Sequence, residues 1–506
     1  MEFLADDLLE GRGTGTRGYQ LAANYDRAQF EQMGLEPAGD AGSYFQKVKF
    51  RQLIPAPERD SFVIRRTNGQ EKLVFEKDYL MAGNPANEDS SVEAPLVFVG
   101  YGVTASERHY DDYAGIDAKG KIVVMVTGAP ASFPSSDRAL YSDDVVKARN
   151  AAAHGAIGMV EIWAGEVSKN TPWEQIIRFF YQPNMRWLDQ NGTPNDYVPE
   201  IRAGAFVSQN GADILLTNSG HSFSEAMASL EASKPLSFPL SGSASLHEAA
   251  RFGNLESPNI AGILKGSDPR LKDEYVVFTA HLDHVGIGEA KNGDTIYNGA
   301  VDNASGTAAL LEIARGFAES KVRPKRSLLF VAVAGEEAGL LGSDYYAQHP
   351  TVPAKQMIAN VNMDGVSLFY DFKDLVALGA EHSTLHRQVE DVAHHMGLEV
   401  SPDPMPEENF FIRSDQYSFV KEGIPALAIS EGFKTVDPAL DGKKITIAWM
   451  TTFYHTPQDD MNQPLNFNAA RKCTQVILAV GYEIAEATDR PAWNPGDIFG
   501  QRFGRH

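Results

Sequence analysis

Apolar residues recur along this chain in two rhythms, and the switch between them is the first sign of how it is organised. Near the start, Tyr19, Ala22, Ala23, Tyr25, Ala28 and Phe30 stand at helical spacing and predict a helix over 18–33, ended by Gly34. Residues 1–10 read as the middle of an amphipathic helix, and alternating strand-like runs follow the first long helix to about residue 80. From about 86 to 242 the apolar runs are short and separated by turns. Strands are predicted there over 95–102, 121–126 and 155–160, with a helix over 144–154. Residues 170–195, with Pro172, Pro183 and Pro194 beside Trp173 and Trp187, read as a long irregular loop.

From about residue 246 onward the rhythm becomes strand, loop, helix. Strands are predicted over 275–280, 327–333, 356–361, 375–378 and 424–429, and a helix over 305–317 carries Leu310, Leu311, Ile313, Ala314 and Phe317. Unbroken apolar strands alternating with helices are the pattern of a largely parallel sheet covered on both faces. Pro425 inside the last run points to the first residues of that strand or to a sheet edge, because proline offers no N–H to a ladder.

Composition narrows the classes. At 506 residues the chain is long enough for two or three domains, and 43% apolar with 22% charged residues is ordinary for a globular protein. The net charge of −22 speaks against nucleic acid as a partner, since a phosphate backbone would be repelled. A single cysteine, Cys473, excludes an internal disulfide framework and any cysteine-rich zinc module. Any metal must then be held by histidines and carboxylates, which suits zinc, manganese or cobalt. No run reaches the roughly 18 to 20 apolar residues that a membrane helix needs. The first ten residues carry neither the basic start nor the apolar stretch of an export signal.

Several familiar motifs fail on context. Gly13 to Gly18 satisfies GxGxxG but follows no buried strand, so a dinucleotide site is not expected. Gly115 to Lys121 begins like a phosphate-binding loop, yet Ile122 stands where Ser or Thr is needed, and a strand follows instead of a helix. His247-Glu248 continues as Ala-Ala-Arg rather than HExxH, and no GxSxG elbow exists.

What remains is a set of segments in the second half of the chain: Ala280-His281-Leu282-Asp283-His284, Gly299-Ala300-Val301-Asp302-Asn303-Ala304-Ser305-Gly306, Gly335-Glu336-Glu337-Ala338-Gly339, Asn362-Met363-Asp364-Gly365 and Tyr454-His455-Thr456-Pro457-Gln458-Asp459. Each has an ordinary reading alone: a glutamate pair at a helix start, a surface histidine, an aspartate in a turn. Together they lie in one α/β region, and the first, third and fourth follow predicted strands, at whose carboxyl ends such sheets bind ligands. Two histidines and three carboxylates suit two divalent ions with one carboxylate between them.

In this order the segments resemble the M28 family of zinc aminopeptidases. The pattern is HxD, then Gly-x-x-Asp-Asn/Asp-x-x-Gly, then Gly-Glu-Glu-x-Gly-Leu-x-Gly-Ser, then Asn-x-Asp, then His-Thr-Pro-x-Asp. Residues 335–345 match especially closely, and the resemblance covers about 250–485. Residues 9–18 are similar to the opening segment of bacterial members, and 99–103 with 120–124 are similar to a protease-associated (PA) domain inserted in that fold. The implied architecture is α/β, of the zinc-exopeptidase, phosphorylase/hydrolase-like kind: a mixed, mostly parallel sheet flanked by helices, with an inserted, mainly β PA domain. The expected limits are 1–85 for the N-terminal part of the peptidase domain, 86–242 for the insert and 243–506 for the main zinc peptidase domain.

The resemblance also implies roles. Asp302 would bridge two zinc ions, with cobalt or manganese as possible substitutes; Glu337 and His455 would complete one site, His281 and Asp364 the other, and Glu336 would be the general base. Asp283 is placed to accept the imidazole N–H of His281, which makes it a second catalytic candidate, and Asp459 and Asn303 are candidate supports. Where the family often has Arg-Ser-Asp-His, this chain reads Arg413-Ser414-Asp415-Gln416, and Phe411 stands where some members place an oxyanion-stabilising tyrosine; Arg413 is the candidate transition-state donor. The implied reaction is hydrolysis of peptides at their N-terminus, in the periplasm or outside the cell, with an export signal outside the given residues. Carboxypeptidase or dipeptidase action on the same metals is the alternative. Glutaminyl cyclase-like acyl transfer or a non-catalytic receptor role fits less well, because every ligand position and the base are filled.

Overall fold

The computed structural model describes residues 1–181 and 184–505. The chain divides into two compact units, one formed by Met1–Val48 with Glu256–His506 and the other by Lys49–Leu255.

The first unit is a mixed, mostly parallel sheet flanked by helices. Strands Ser327–Val333, Tyr275–His281, Met357–Asn362 and Ala426–Glu431 run parallel in that spatial order. Residues 260–264 pair antiparallel with Ser327–Val333, and Asp374–Leu378 pairs antiparallel with Ala426–Glu431. The strands Tyr275–His281, Ser327–Val333 and Met357–Asn362 are buried at every residue, as their unbroken apolar runs require. Successive side chains point to opposite faces. On one face Phe278 stacks on Phe330, their ring centroids 5.2 Å apart, against Phe317 of helix Gly306–Glu319 and Phe30 of helix Arg17–Gln32. On the other, Val277, Val331 and Val333 pack with Tyr346, Tyr417, Phe419 and Phe499. Truncating a buried ring such as Phe278 to alanine would cost about 3–5 kcal/mol.

The predicted strands of this unit are all present. Pro425 directly precedes strand Ala426–Glu431, and its carbonyl accepts from the Asn360 N–H at 3.0 Å. The strand is interior rather than an edge, because the missing N–H falls before its first ladder pair. Residues 1–10 are not the middle of an amphipathic helix: turns lead into a short 3-10 helix, Asp7–Arg12, capped by Asp6, whose carboxylate accepts from Leu8 N–H at 2.8 Å.

In the second unit, strands Asp89–Val99, Ile122–Val126, Gly158–Ile162 and Gly204–Val207 run parallel, and helix Asp144–Ala153 lies between the second and third in sequence. Strands Ser61–Arg66 and Gly69–Lys72 also take their ladder partners here, Ser61–Arg66 against residues 243–247. The unit's limits, Lys49 and Leu255, therefore lie outside the 86 and 242 expected for the insert. The stretch 170–195 is not an irregular loop. It holds helix Trp173–Phe180 and strand Asn184–Trp187, with Pro172 at the helix N-cap, where a missing N–H costs nothing; Pro183 lies outside the described residues.

Candidate active site

The expected ligands converge just beyond the carboxyl ends of the central strands. His281 ends its strand; its Nε2 lies 3.2 Å from Asp302 Oδ1 and 3.2 Å from Asp364 Oδ1. His455 Nε2 lies 3.1 Å from Asp302 Oδ2 and 3.0 Å from Glu337 Oε2. The two oxygens of Asp302 thus face two separate sets of donors. Around each, histidine and carboxylate donor atoms gather within 4.8 Å of one another, the spacing of ligands about one ion.

The Asp302 loop is held from both sides. The Asp459 carboxylate accepts from the backbone N–H groups of Val301 and Asp302, each at 3.0 Å, and Gln463 Nε2 donates to it at 2.7 Å. Asn303 donates from Nδ2 to the Met363 carbonyl at 2.9 Å, while its Oδ1 accepts from Gly306 N–H at 2.9 Å and Gly365 N–H at 2.8 Å. One amide therefore staples the loop of Asp302 to that of Asp364. Gly306 leaves room for it, since a Cβ there would fall 2.1 Å from Asn303 Oδ1. His455 sits at φ 51°, in the left-handed region that costs a non-glycine residue about 1–3 kcal/mol and that recurs at functional sites.

Asp283 is near the site but does not meet the expectation for its side chain. His281 Nδ1 lies 3.1 Å from the Asp283 backbone carbonyl and 4.0 Å from its carboxylate. That carboxylate instead accepts from Glu336 N–H at 3.2 Å and Thr14 Oγ1 at 3.0 Å. It steadies the chain that carries Glu336 rather than the imidazole.

Electrostatics separates these acids. Burial alone would raise the Asp302 carboxyl, but hydrogen bonds with His281 and His455 outweigh it and hold it well below the usual range. Burial also opposes ionisation of Glu337, yet its contacts with His284 and His455 bring it down to about 2. Burial disfavours charge on His455, but Asp302 and Glu337 raise it to about 10. Glu336 goes the other way: burial, with Asp364 and Glu337 close by, pushes it well above the ordinary value against the pull of His281. Among the described residues, histidines alone ion-pair with Asp302, Glu337 and Asp364. Asp302 is buried and Glu337 nearly so, and carboxylates placed there without a lysine or arginine partner call for a cation; with the more exposed Asp364, nitrogen and oxygen donors shared through Asp302 fit two divalent ions.

Residues 259–481 match the model of Peptidase family M28, and residues 92–175 match that of the PA domain. Residues 259–481 are thus an M28 peptidase domain by that match. Aminopeptidase YwaD of Bacillus subtilis (strain 168) is 26% identical over 251 residues, 47% of this chain and 47% of the relative. Aminopeptidase Y of Saccharomyces cerevisiae is 30% identical over 187 residues, 35% of this chain and 31% of the relative. A probable zinc metalloprotease of Pyrenophora tritici-repentis is 42% identical over 113 residues, 21% of this chain and 24% of the relative. The chain thus spans less than half the length of these curated relatives. An aminopeptidase from Aneurinibacillus sp. strain AM-1 shares the fold, with a TM-score of 0.51 and 21% identity over 95% of this chain and 92% of that one.

Beside the ligands, the M28 domain has a cavity of about 420 Å³ lined by Asp302, Glu336 and Asp364 at one end and by Phe369, Trp449 and Tyr454 among others. Arg413 lines it too, but its guanidinium bonds the Glu408 carbonyl at 3.1 Å and approaches the Glu408 carboxylate at 3.5 Å. Gln416 accepts from Asn362 Nδ2 at 2.8 Å and donates to the Phe411 carbonyl at 2.7 Å, fixing its loop to the central sheet.

Three residues of the first unit were given no role by the sequence. Tyr454 stacks on His455, ring centroids 3.9 Å apart, and burial, then the charges of Asp302 and Glu337, raise its hydroxyl far above the usual value. Buried Arg12 donates to the carbonyls of Leu282 at 3.0 Å, Asn298 at 2.6 Å and Gly299 at 3.0 Å, tying the His281 segment to the Asp302 loop. His284 reaches Glu337, its Nδ1 2.5 Å from Oε1. The available signals were a third histidine close after His281, an aromatic beside His455, and an arginine in the glycine-rich opening segment.

Proposed function

We propose that this M28 domain is a two-metal aminopeptidase that hydrolyses the N-terminal bond of peptides. The observation that carries this reading is Asp302, one oxygen toward His281 and Asp364 and the other toward His455 and Glu337, with Glu336 beside them. The donor chemistry suits zinc, and relatives named as aminopeptidases and zinc metalloproteases support it. When bound, such ions polarise a scissile carbonyl and acidify the attacking water. His281, Asp364, Asp302, Glu337 and His455 would hold them. Glu336 takes the proton from water and returns it to the leaving amine, its backbone held by Asp283. Tyr454, kept protonated and facing the same cavity, is better placed than Arg413 to donate to the developing oxyanion.

The cavity also bears on which end of a peptide enters. Among the described residues Asp403 and Glu408 line it against Arg413 as the one cationic residue, and Arg413 is engaged by Glu408; Glu431 lines it too, its carboxyl pushed up to about 7 by burial. An acidic wall attracts a free ammonium and repels a terminal carboxylate, which favours an aminopeptidase over a carboxypeptidase. Phe369, Phe433, Trp449 and Met450 suit a large apolar first side chain.

The deciding test is a panel of aminoacyl-p-nitroanilides with free and N-acetylated ends, assayed with and without chelator, beside a metal count. Cleavage of the free amines only, lost with chelator, and about two zinc ions per chain are expected. Release of C-terminal residues from N-blocked peptides would sink the aminopeptidase reading and leave the metal site standing. Tyr454→Phe should lower kcat by about 10²-fold with little change in KM, while Arg413→Ala stays within a few-fold.

A further inference from the structure

We infer that His284 is a positioning residue that holds Glu337 in a one-oxygen geometry and thereby strengthens one of the two ion sites selectively. The inference rests on the two-metal reading above. The His284 side chain is fully buried, and its Nδ1 stands 2.5 Å from Glu337 Oε1, while the other oxygen, Oε2, faces His455 Nε2 at 3.0 Å. The carboxylate is therefore divided, with one oxygen given to the imidazole of His284 and one turned toward the donor set of Asp302 and His455. An ionised carboxylate can only accept, so the hydrogen belongs on Nδ1 of His284. Nε2 is then a bare acceptor, buried with no hydrogen-bond partner among the described residues, a lesser cost than a buried orphan N–H.

The ring is also wedged in place. Gly299 adopts φ +59° at the start of the Asp302 loop, and a Cβ there would come within 2.5 Å of His284 Cγ and 2.1 Å of the Asp302 carbonyl oxygen. Only glycine lets the loop lie this close to the imidazole. At the second site the His281 imidazole is oriented by the Asp283 carbonyl, 3.1 Å from Nδ1, but the carboxylate there has no matching device. The Asp364 side chain is 32% exposed, and among the described residues its carboxylate is paired with His281 alone. A partner that orients a ligand is worth about 10–100-fold in metal affinity, so removing His284 should weaken the ion at Glu337 and His455 and spare the one at His281 and Asp364.

The test is zinc titration of the metal-free full chain against a competing chelator, for wild type, His284→Leu and His284→Asn. The leucine variant keeps the volume and removes the donor; it should bind one of two ions about 10–100-fold more weakly and the other within about twofold. The asparagine variant restores an N–H near Nδ1 and should regain wild-type affinity to within a few-fold. An amide oxygen is a much poorer zinc ligand than an imidazole nitrogen, so recovery of wild-type affinity by asparagine points to the N–H given to Glu337 and not to direct ligation by His284. His284→Ala serves if leucine is not accommodated. The inference is overturned by an asparagine variant as weak as the leucine one, by equal loss of both ions, or by no loss in either variant. A wild type that binds fewer than two ions would instead overturn the two-metal reading itself.

Discussion

In the unit Lys49–Leu255, buried Glu161 has Lys147 Nζ 3.4 Å away, and Asp112 accepts from the N–H groups of Tyr101 at 3.0 Å and Val103 at 3.1 Å and from the Tyr110 hydroxyl at 3.0 Å. Among the described residues Asp60 and Glu248 form no ion pair, and burial pushes them up to about 7 and about 8, toward the neutral form. In the M28 domain, by contrast, Asp302 and Glu337 are driven below the usual range although, among the described residues, only imidazoles pair with them. Both regions bury acids. One settles the charge with its own groups, and the other holds it ready for cations from outside. Burial of carboxylates therefore does not mark a site by itself; the mark is several ionised ones converging on histidines at strand ends.

The largest effect that could break this comparison is on turnover. Glu336→Gln should lower kcat by about 10²–10⁴-fold while zinc content, read by metal analysis, stays at the wild-type value. A variant that kept its activity would remove Glu336 as the base. Next in size is metal removal. Hydrogen–deuterium exchange of the chelated protein should speed up at amides 300–306, by up to about 10³-fold if zinc stands near a thousand times its Kd, with strand Ile122–Val126 unchanged. Equal acceleration in both regions would mean that the ions support the whole chain rather than one loop cluster. Asp459→Asn is smaller. It turns a donor toward the N–H of Val301 or Asp302 and should cost about 10-fold in zinc affinity, measured by chelator competition.

Much of the peptidase domain was legible because its strands are apolar without interruption and its candidate ligands stand directly after them. His281, Glu336, Glu337 and Asp364 could be placed from that rule, since a sheet buried on both faces exposes chemistry only at strand ends. The residues that escaped are those whose partners are remote and whose own spacing is unremarkable. Asp283 looked like the partner of His281, but Thr14, 269 positions away, and the Glu336 backbone claim its carboxylate. Arg12 bonds only backbone carbonyls, which leave no trace in a pattern of residue types. The helix at Trp173–Phe180 was hidden because a proline marks a helix start as readily as a loop.

The smallest effect sharpens the comparison from the side of the other unit. Burial, then the nearby Asp60, raises Glu248 to about 8 against backbone hydrogen bonds from Gly204 and Gly83. A carboxyl with a raised folded pKa binds more protons folded than unfolded between the two values. Its contribution to stability is thus full below the unfolded value near 4.5 and is lost as pH rises through about 8. Glu248→Gln replaces the proton-dependent group with a permanently neutral one of the same shape. At pH 5, where Glu248 is already protonated, the variant should melt within about 1–2 °C of wild type; at pH 9 it should melt higher, by on the order of 5 °C. Zinc binding should not respond at either pH. A variant equally stable relative to wild type at both pH values would mean that Glu248 is ionised throughout, and the contrast between a proton-settled unit and a metal-settled one would lose its clearest case.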